Sequence, residues 1–235
     1  MKADYFDRPD FGKRYEELRA ESHPGWSSEA HYREKEAEIE KLLARYSVPA
    51  EGRFLELGCG AGNTTLFMAN KGFEAYGIDT APEAIAWARE KMENSMAGAD
   101  FRVGNVVDLV SYPDSFFEFV FDGECLHCVI GSDRATCLAN VFRVLKRGGL
   151  FYVQGNCMDE TLKDPLNVSP DFCFDPQSQY LMRNGIPYYY LSREEELLEE
   201  IRGAGFKIAC YEKVPKTSKH EPFQAGGLLV DAVKP

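Results

Sequence analysis

The chain has 235 residues, of which 44% are hydrophobic and 28% charged, with 20 Gly and 12 Pro; this balance excludes disordered, collagen-like and low-complexity polypeptides and suits one domain with a sizeable core. Lys and Arg number 27 against 38 Asp and Glu, a net charge of −11, so a nucleic-acid backbone meets repulsion and a small-molecule partner is favoured. The opening MKADYFDRPDFGKRYEELR has no apolar h-region and no stretch approaches the ~20 apolar residues of a membrane helix, so a cytoplasmic protein off the membrane is expected, of open oligomeric state.

Residues 1–50 read as a helical cap. In SSEAHYREKEAEIEKLLARYSVP, Ile39, Leu42, Leu43 and Tyr46 recur at helical spacing; Ser27 or Ser28 can cap the start, and Pro49 forbids continuation. The upstream aromatics Tyr5, Phe6, Phe11, Tyr15 and Trp26 can pack this helix down or line a cleft. Residues 51–153 alternate short apolar runs with helical periods, the pattern of a doubly wound, mostly parallel α/β sheet. Strands are expected at Arg53–Leu57, Glu74–Ile78, Asp100–Val103, Glu118–Phe121 and Leu150–Val153. Thr80 with Glu83 reads as a capping box, and Ser132 or Asp133 opens a helix that Gly148 and Gly149 end.

Periodicity fails over residues 154–191, too long for an ordinary connection, so an insertion acting as a lid is expected there. Within 192–235, Ser192 and Glu195 read as a second capping box, followed by a helix and strands at Phe206–Tyr211 and Leu228–Val233. The seven cysteines are scattered and odd in number, as free thiols would be. Cys125 and Cys128 have metal-ligand spacing, but no second pair stands near them and no metal is expected.

The most informative segment is RFLELGCGAGNTTLFMANKG. An apolar strand runs into Gly58, Gly60 and Gly62, where the backbone can turn tightly and admit a ligand, and a helix begins near Asn63. Asn63 occupies the third glycine position of the dinucleotide fingerprint, which disfavours a pyrophosphate cradle and a nicotinamide oxidoreductase. Asp79 ends the next strand, where a carboxylate can accept both hydroxyls of a ribose.

With LELGCGAG, YGIDTAPEAIAWA, VGNVVDL, FVFDGECLHCV and VFRVLKRGGLFYV, the chain resembles the class I S-adenosylmethionine-dependent methyltransferases over roughly residues 50–155 and 192–233. The resemblance implies a seven-stranded sheet with helices on both faces and its last strand antiparallel. It also implies S-adenosyl-L-methionine as cofactor. Glu56, Gly58, Cys59, Gly60, Gly62 and Asn63 fall on its first motif, Asp79 and Thr80 on the ribose-binding acid, and Asn105 and Val106 on the adenine contact. The family usually has Asp at the position of Asn105; an Asn carbonyl can still accept from the adenine amino group. Asp122 and Gly123 fall where the family closes on the methionyl end.

Methyl transfer needs alignment and exclusion of water, plus a base only where the acceptor carries a proton. His127 and Glu124 are the candidate catalytic groups by position; His23, His31 and His220 stand in segments that can fold over an acceptor, and Tyr188, Tyr189 and Tyr190 can wall its pocket. The expected activity is methyl transfer to a small-molecule acceptor. The alternatives are methylation of a thiol-bound metalloid on Cys125, Cys157 and Cys173, or a catalytically silent S-adenosylmethionine-binding protein.

Overall fold

A computed structural model describes residues 9–95, 97–158, 172–215 and 226–235. Tyr5, Phe6, His220 and residues 159–171 of the expected lid lie outside the described residues. Two helices open the chain, α1 (Pro9–Ala20) and α2 (Glu29–Tyr46). Ser28 caps α2 by accepting the His31 N–H at 3.3 Å, and Ser47 ends it with φ 49° ahead of Pro49.

The central sheet has seven strands: β1 (Arg53–Leu57), β2 (Glu74–Asp79), β3 (Ala99–Val103), β4 (Phe117–Asp122), β5 (Leu145–Cys157), β9 (Lys207–Pro215) and β10 (Gly226–Val233). Their order is β3-β2-β1-β4-β5-β10-β9, parallel except for β10, which runs antiparallel to both neighbours. Strand pleating sends alternate residues into two cores. Leu55, Val120, Phe151 and Val153 meet α5 (Asp133–Val144) and α6 (Glu194–Gly203) on one face. Phe54, Phe119, Phe121 and Tyr152 meet α2 and α3 (Asn63–Asn70) on the other. A further helix, α4 (Pro82–Glu93), buries Ile85 and Ala88 against Phe101 and Cys59.

Several boundaries differ from expectation. No helix joins β3 to β4; turns carry Leu109 and Tyr112 into the core instead. The glycine pair Gly148 and Gly149 does not end α5, which stops at Val144 and passes straight into β5. A register shift opposite Phe117 and Phe119 absorbs residues 146–149. The expected capping box of Ser192 and Glu195 does not form: Arg193 stands at the N-cap of α6, its guanidinium cannot accept, and Glu196 accepts the Arg193 N–H at 2.8 Å.

The insertion is ordered where described, forming a separate three-stranded antiparallel sheet of β6 (Phe172–Asp175), β7 (Tyr180–Arg183) and β8 (Ile186–Tyr190). Asn184 and Gly185, with φ of 50° and 77°, make the tight turn between β7 and β8. This small sheet packs Leu181, Tyr189 and Leu191 against Cys128 and Met158.

Candidate active site

Strand order reverses between β1 and β4, and open α/β sheets bind ligands at the carboxyl ends of such strands. An open cleft with about 1110 Å³ of empty space lies there, lined from the cap by Phe11, Tyr15, Trp26, Ser27, Tyr32 and Lys35. The loop after β1 forms its floor. Gly58 has φ 67°, and a Cβ there would fall 2.6 Å from the Cys125 Cβ, so only glycine lets the loops after β1 and β4 meet. Gly62, at φ 75°, lies against Phe101, which a Cβ would approach to 2.7 Å.

The Asp79 carboxylate organises this floor, accepting the Gly60 N–H and the Ala81 N–H, each at 2.9 Å. Asp79 therefore supports the start of α4, where no side-chain cap comes from Thr80 or Ala81. Burial raises the Asp79 pKa against those N–H groups. Asn105 spends one lone pair of its carbonyl on the Val107 N–H at 2.9 Å.

Glu56 is buried and accepts the Thr65 hydroxyl at 2.6 Å; burial pushes its pKa from 4.5 up to about 7, against the pull of Thr65 and Lys35. Burial opposes the charge on Lys35, but Glu124 and Glu56 outweigh it and hold the ammonium pKa above its ordinary value. The Lys35 Nζ lies 3.0 Å from the Glu124 carboxylate, which also meets His31 Nε2 at 3.2 Å. Glu124 takes φ 67°, costly for a residue with a Cβ and typical of functional loops. Thus α2 clamps a strained acid at the end of β4.

Asp122, fully buried, shapes the same turn by accepting the Cys125 and Leu126 N–H groups at 2.7 and 2.9 Å, and burial raises its pKa to about 6. Arg134 secures the turn from behind, donating to the Leu126 and Val129 carbonyls and pairing with Glu200 at 2.6 Å.

The cap and insertion meet across the cleft mouth. Phe11 stacks on Tyr188 at 5.4 Å and 17°, Trp26 lies 5.7 Å from Phe11, and His127 meets the Tyr189 ring edge-to-face at 4.6 Å. Lys91 anchors the cap by donating to the Pro24 carbonyl and, at 2.7 Å, to the Asn63 side-chain carbonyl.

Of the residues singled out from sequence, Glu56, Gly58, Cys59, Gly60, Asp79, Thr80, Asn105, Val106, Gly123, Glu124 and His127 line the cleft. Gly62, Asn63 and Asp122 stand outside its lining and brace it. His31 reaches it through Glu124, whereas His23 pairs with Glu21 away from it. Lys35 and Tyr32 escaped the sequence reading because they lie in a charged helical run that resembles a solvated face. Cys157 is buried and Cys173 exposed, and among the described residues no group of three His, Cys, Asp or Glu is placed to hold a metal ion. No helix among them is long and apolar enough to cross a membrane.

A glycine loop after β1, an acid ending β2 and a clamped acid after β4 line one cleft at the switch point of a Rossmann-like sheet, where open α/β sheets bind ligands. Residues 55–153 match the methyltransferase domain family, and this core belongs to the class I S-adenosylmethionine-dependent methyltransferases. A crystal structure of a S-adenosylmethionine-dependent methyltransferase from Methanosarcina mazei is 25% identical with a TM-score of 0.64, covering 82% of this chain and 96% of that one. The S-adenosyl-L-methionine-dependent Diels-Alderase iccD of Talaromyces variabilis is 32% identical over 48% of this chain and 39% of its own. The 2-heptyl-1-hydroxyquinolin-4(1H)-one methyltransferase of Mycobacteroides abscessus is 31% identical over 53% of this chain and 51% of its own. The chain thus spans about half the length of these two curated relatives. S-adenosylmethionine is the cofactor of the family.

Proposed function

We propose that the protein transfers a methyl group from S-adenosyl-L-methionine to a small-molecule acceptor. The observation that carries this reading is the convergence of the loops after β1, β2 and β4 on one cleft roofed by the cap and the insertion. Bound S-adenosylmethionine supplies a sulfonium methyl group open to in-line displacement.

The chain's own groups bind, orient and exclude water. Asp79 keeps lone pairs for two ribose hydroxyls after serving Gly60 and Ala81. Gly58, Cys59, Gly60 and Thr80 form the floor beneath the cofactor, Asn105 and Val106 flank its base, and Glu56 with Gly123 faces its methionyl end. Gly62, Asn63 and Asp122 hold these loops in shape. Glu124 is the group placed to take a proton from the acceptor, and His127, pressed against Tyr189, walls the acceptor side. The insertion acts as the lid of a single methyltransferase domain.

Incubation with methyl-labelled S-adenosylmethionine and a panel of small-molecule acceptors tests the reading. Label should pass to at least one acceptor with stoichiometric S-adenosylhomocysteine. Tight cofactor binding without transfer across the panel would favour a silent binding protein, and transfer to arsenite alone would favour the metalloid reading.

A further inference from the structure

Besides the glycine loop, the cleft is lined by several aromatic side chains. Two segments distant in sequence supply these rings: Phe11, Tyr15, Trp26 and Tyr32 from the cap, His127 and Tyr189 from the other side. Phe11 and Tyr188 stack in direct contact at 5.4 Å, joining the cap to the insertion beside these rings. A cleft lined by several rings suits an aromatic guest.

Lys35 and Glu124 line the same cleft as these rings. Lys35 is the one Lys or Arg among the described lining residues, and its ammonium is already compensated by Glu124 at 3.0 Å. With Glu56 and Asp79 in the same cleft, an acceptor bearing phosphate or carboxylate finds no surplus positive charge. An ammonium would bring a second cation to a carboxylate that Lys35 and His31 already hold. A hydroxyl matches the pair with one oxygen, donating to Glu124 and accepting from Lys35.

We propose, building on the methyl-transfer reading, that the acceptor is a neutral planar phenol, its ring between the cap and Tyr189 and its hydroxyl on the Lys35–Glu124 pair. In the transfer, the phenolic O–H bond breaks and its proton passes to the Glu124 carboxylate. The oxygen's electron pair forms the new O–CH3 bond, while the S–CH3 bond breaks with its pair remaining on sulfur. The Lys35 ammonium lies where the oxygen gathers negative charge. Lys35 is thereby a specificity residue supplied by a helix outside the matched family core.

Calorimetric titration of the full chain loaded with S-adenosylhomocysteine, using umbelliferone, its methyl ether and phenethylammonium as probes, tests this assignment. Umbelliferone should bind at least roughly ten-fold tighter than either other probe, because the ether leaves a buried polar pair unmatched. Glu124→Gln should bring umbelliferone and its ether within about two-fold of each other, and Tyr189→Leu should weaken both coumarins together, each compared at saturating S-adenosylhomocysteine. Equal binding of phenol and ether, tighter binding of phenethylammonium, or binding of no coumarin would overturn the phenol assignment. Failure of S-adenosylhomocysteine to bind would count against the methyl-transfer reading instead, and the same comparison on the ligand-free chain would still decide the phenol assignment.

Discussion

Asp79 holds two backbone N–H groups as well as the proposed ribose, so its variants separate support from binding. Asp79→Ala should weaken S-adenosylhomocysteine affinity by roughly 1.5–3 kcal/mol through lost charge-assisted hydrogen bonds. Unchanged calorimetric affinity in a folded variant would contradict the ribose assignment. Glu56 carries a sharper, two-signed expectation. Its folded pKa of about 7 lies above its ordinary 4.5, so between those values the native state binds more protons and stability falls as pH rises. Glu56→Gln should therefore stabilise the ligand-free protein at pH 8 by about 1–3 kcal/mol, with little gain at pH 4, while weakening cofactor binding. Urea unfolding at the two pH values checks the sign; equal effects at both would contradict it. Asp79 and Glu124 were legible as candidates because one ends a strand and the other closely follows one, each beside a recognisable motif. Lys35 was not, since local spacing cannot show that a residue in REKEAEIEK faces a carboxylate 89 positions later.

Arg134 is the element-scale counterpart, joining α5, α6 and the turn after β4 through two carbonyls and Glu200. Arg134→Met would leave those acceptors short of donors and should cost about 2–4 kcal/mol in denaturant unfolding; a loss under about 0.5 kcal/mol, the range of a surface substitution, would show the staple to be dispensable. The sheet elements were readable from alternation, because buried strands such as RFLEL and FEFVFD are short apolar runs. The insertion's hairpin was also written in the sequence, as Asn184-Gly185 between Met182 and Tyr188. It escaped notice because its strands mix Tyr, Met and Arg with a proline, so the alternation is weak. Tertiary support from Cys128 and Met158 stabilises what local pattern does not announce.

For the whole molecule, closure depends on the cap staying docked. Lys91, tied to Pro24 and Asn63, joins it to α3 and α4, and Arg19 pairs with Glu90 beside it. Lys91→Met should release the segment around Pro24, raising proteolytic cleavage between α1 and α2 several-fold without unfolding the sheet. Unaltered cleavage would place the docking energy in the Tyr15, Leu18 and Trp87 contacts. The alternation of strands and helices made the doubly wound sheet legible, whereas the meeting of the cap with the insertion depends on rings at positions 11 and 188, a separation no local pattern spans.

The most direct measurement is calorimetric titration of the full chain with S-adenosylhomocysteine, run beside NADH. Micromolar binding of the first and none of the second is the expected result. Saturable NADH binding with no response to S-adenosylhomocysteine would contradict the assignment of the cleft from Glu56 to Asp79.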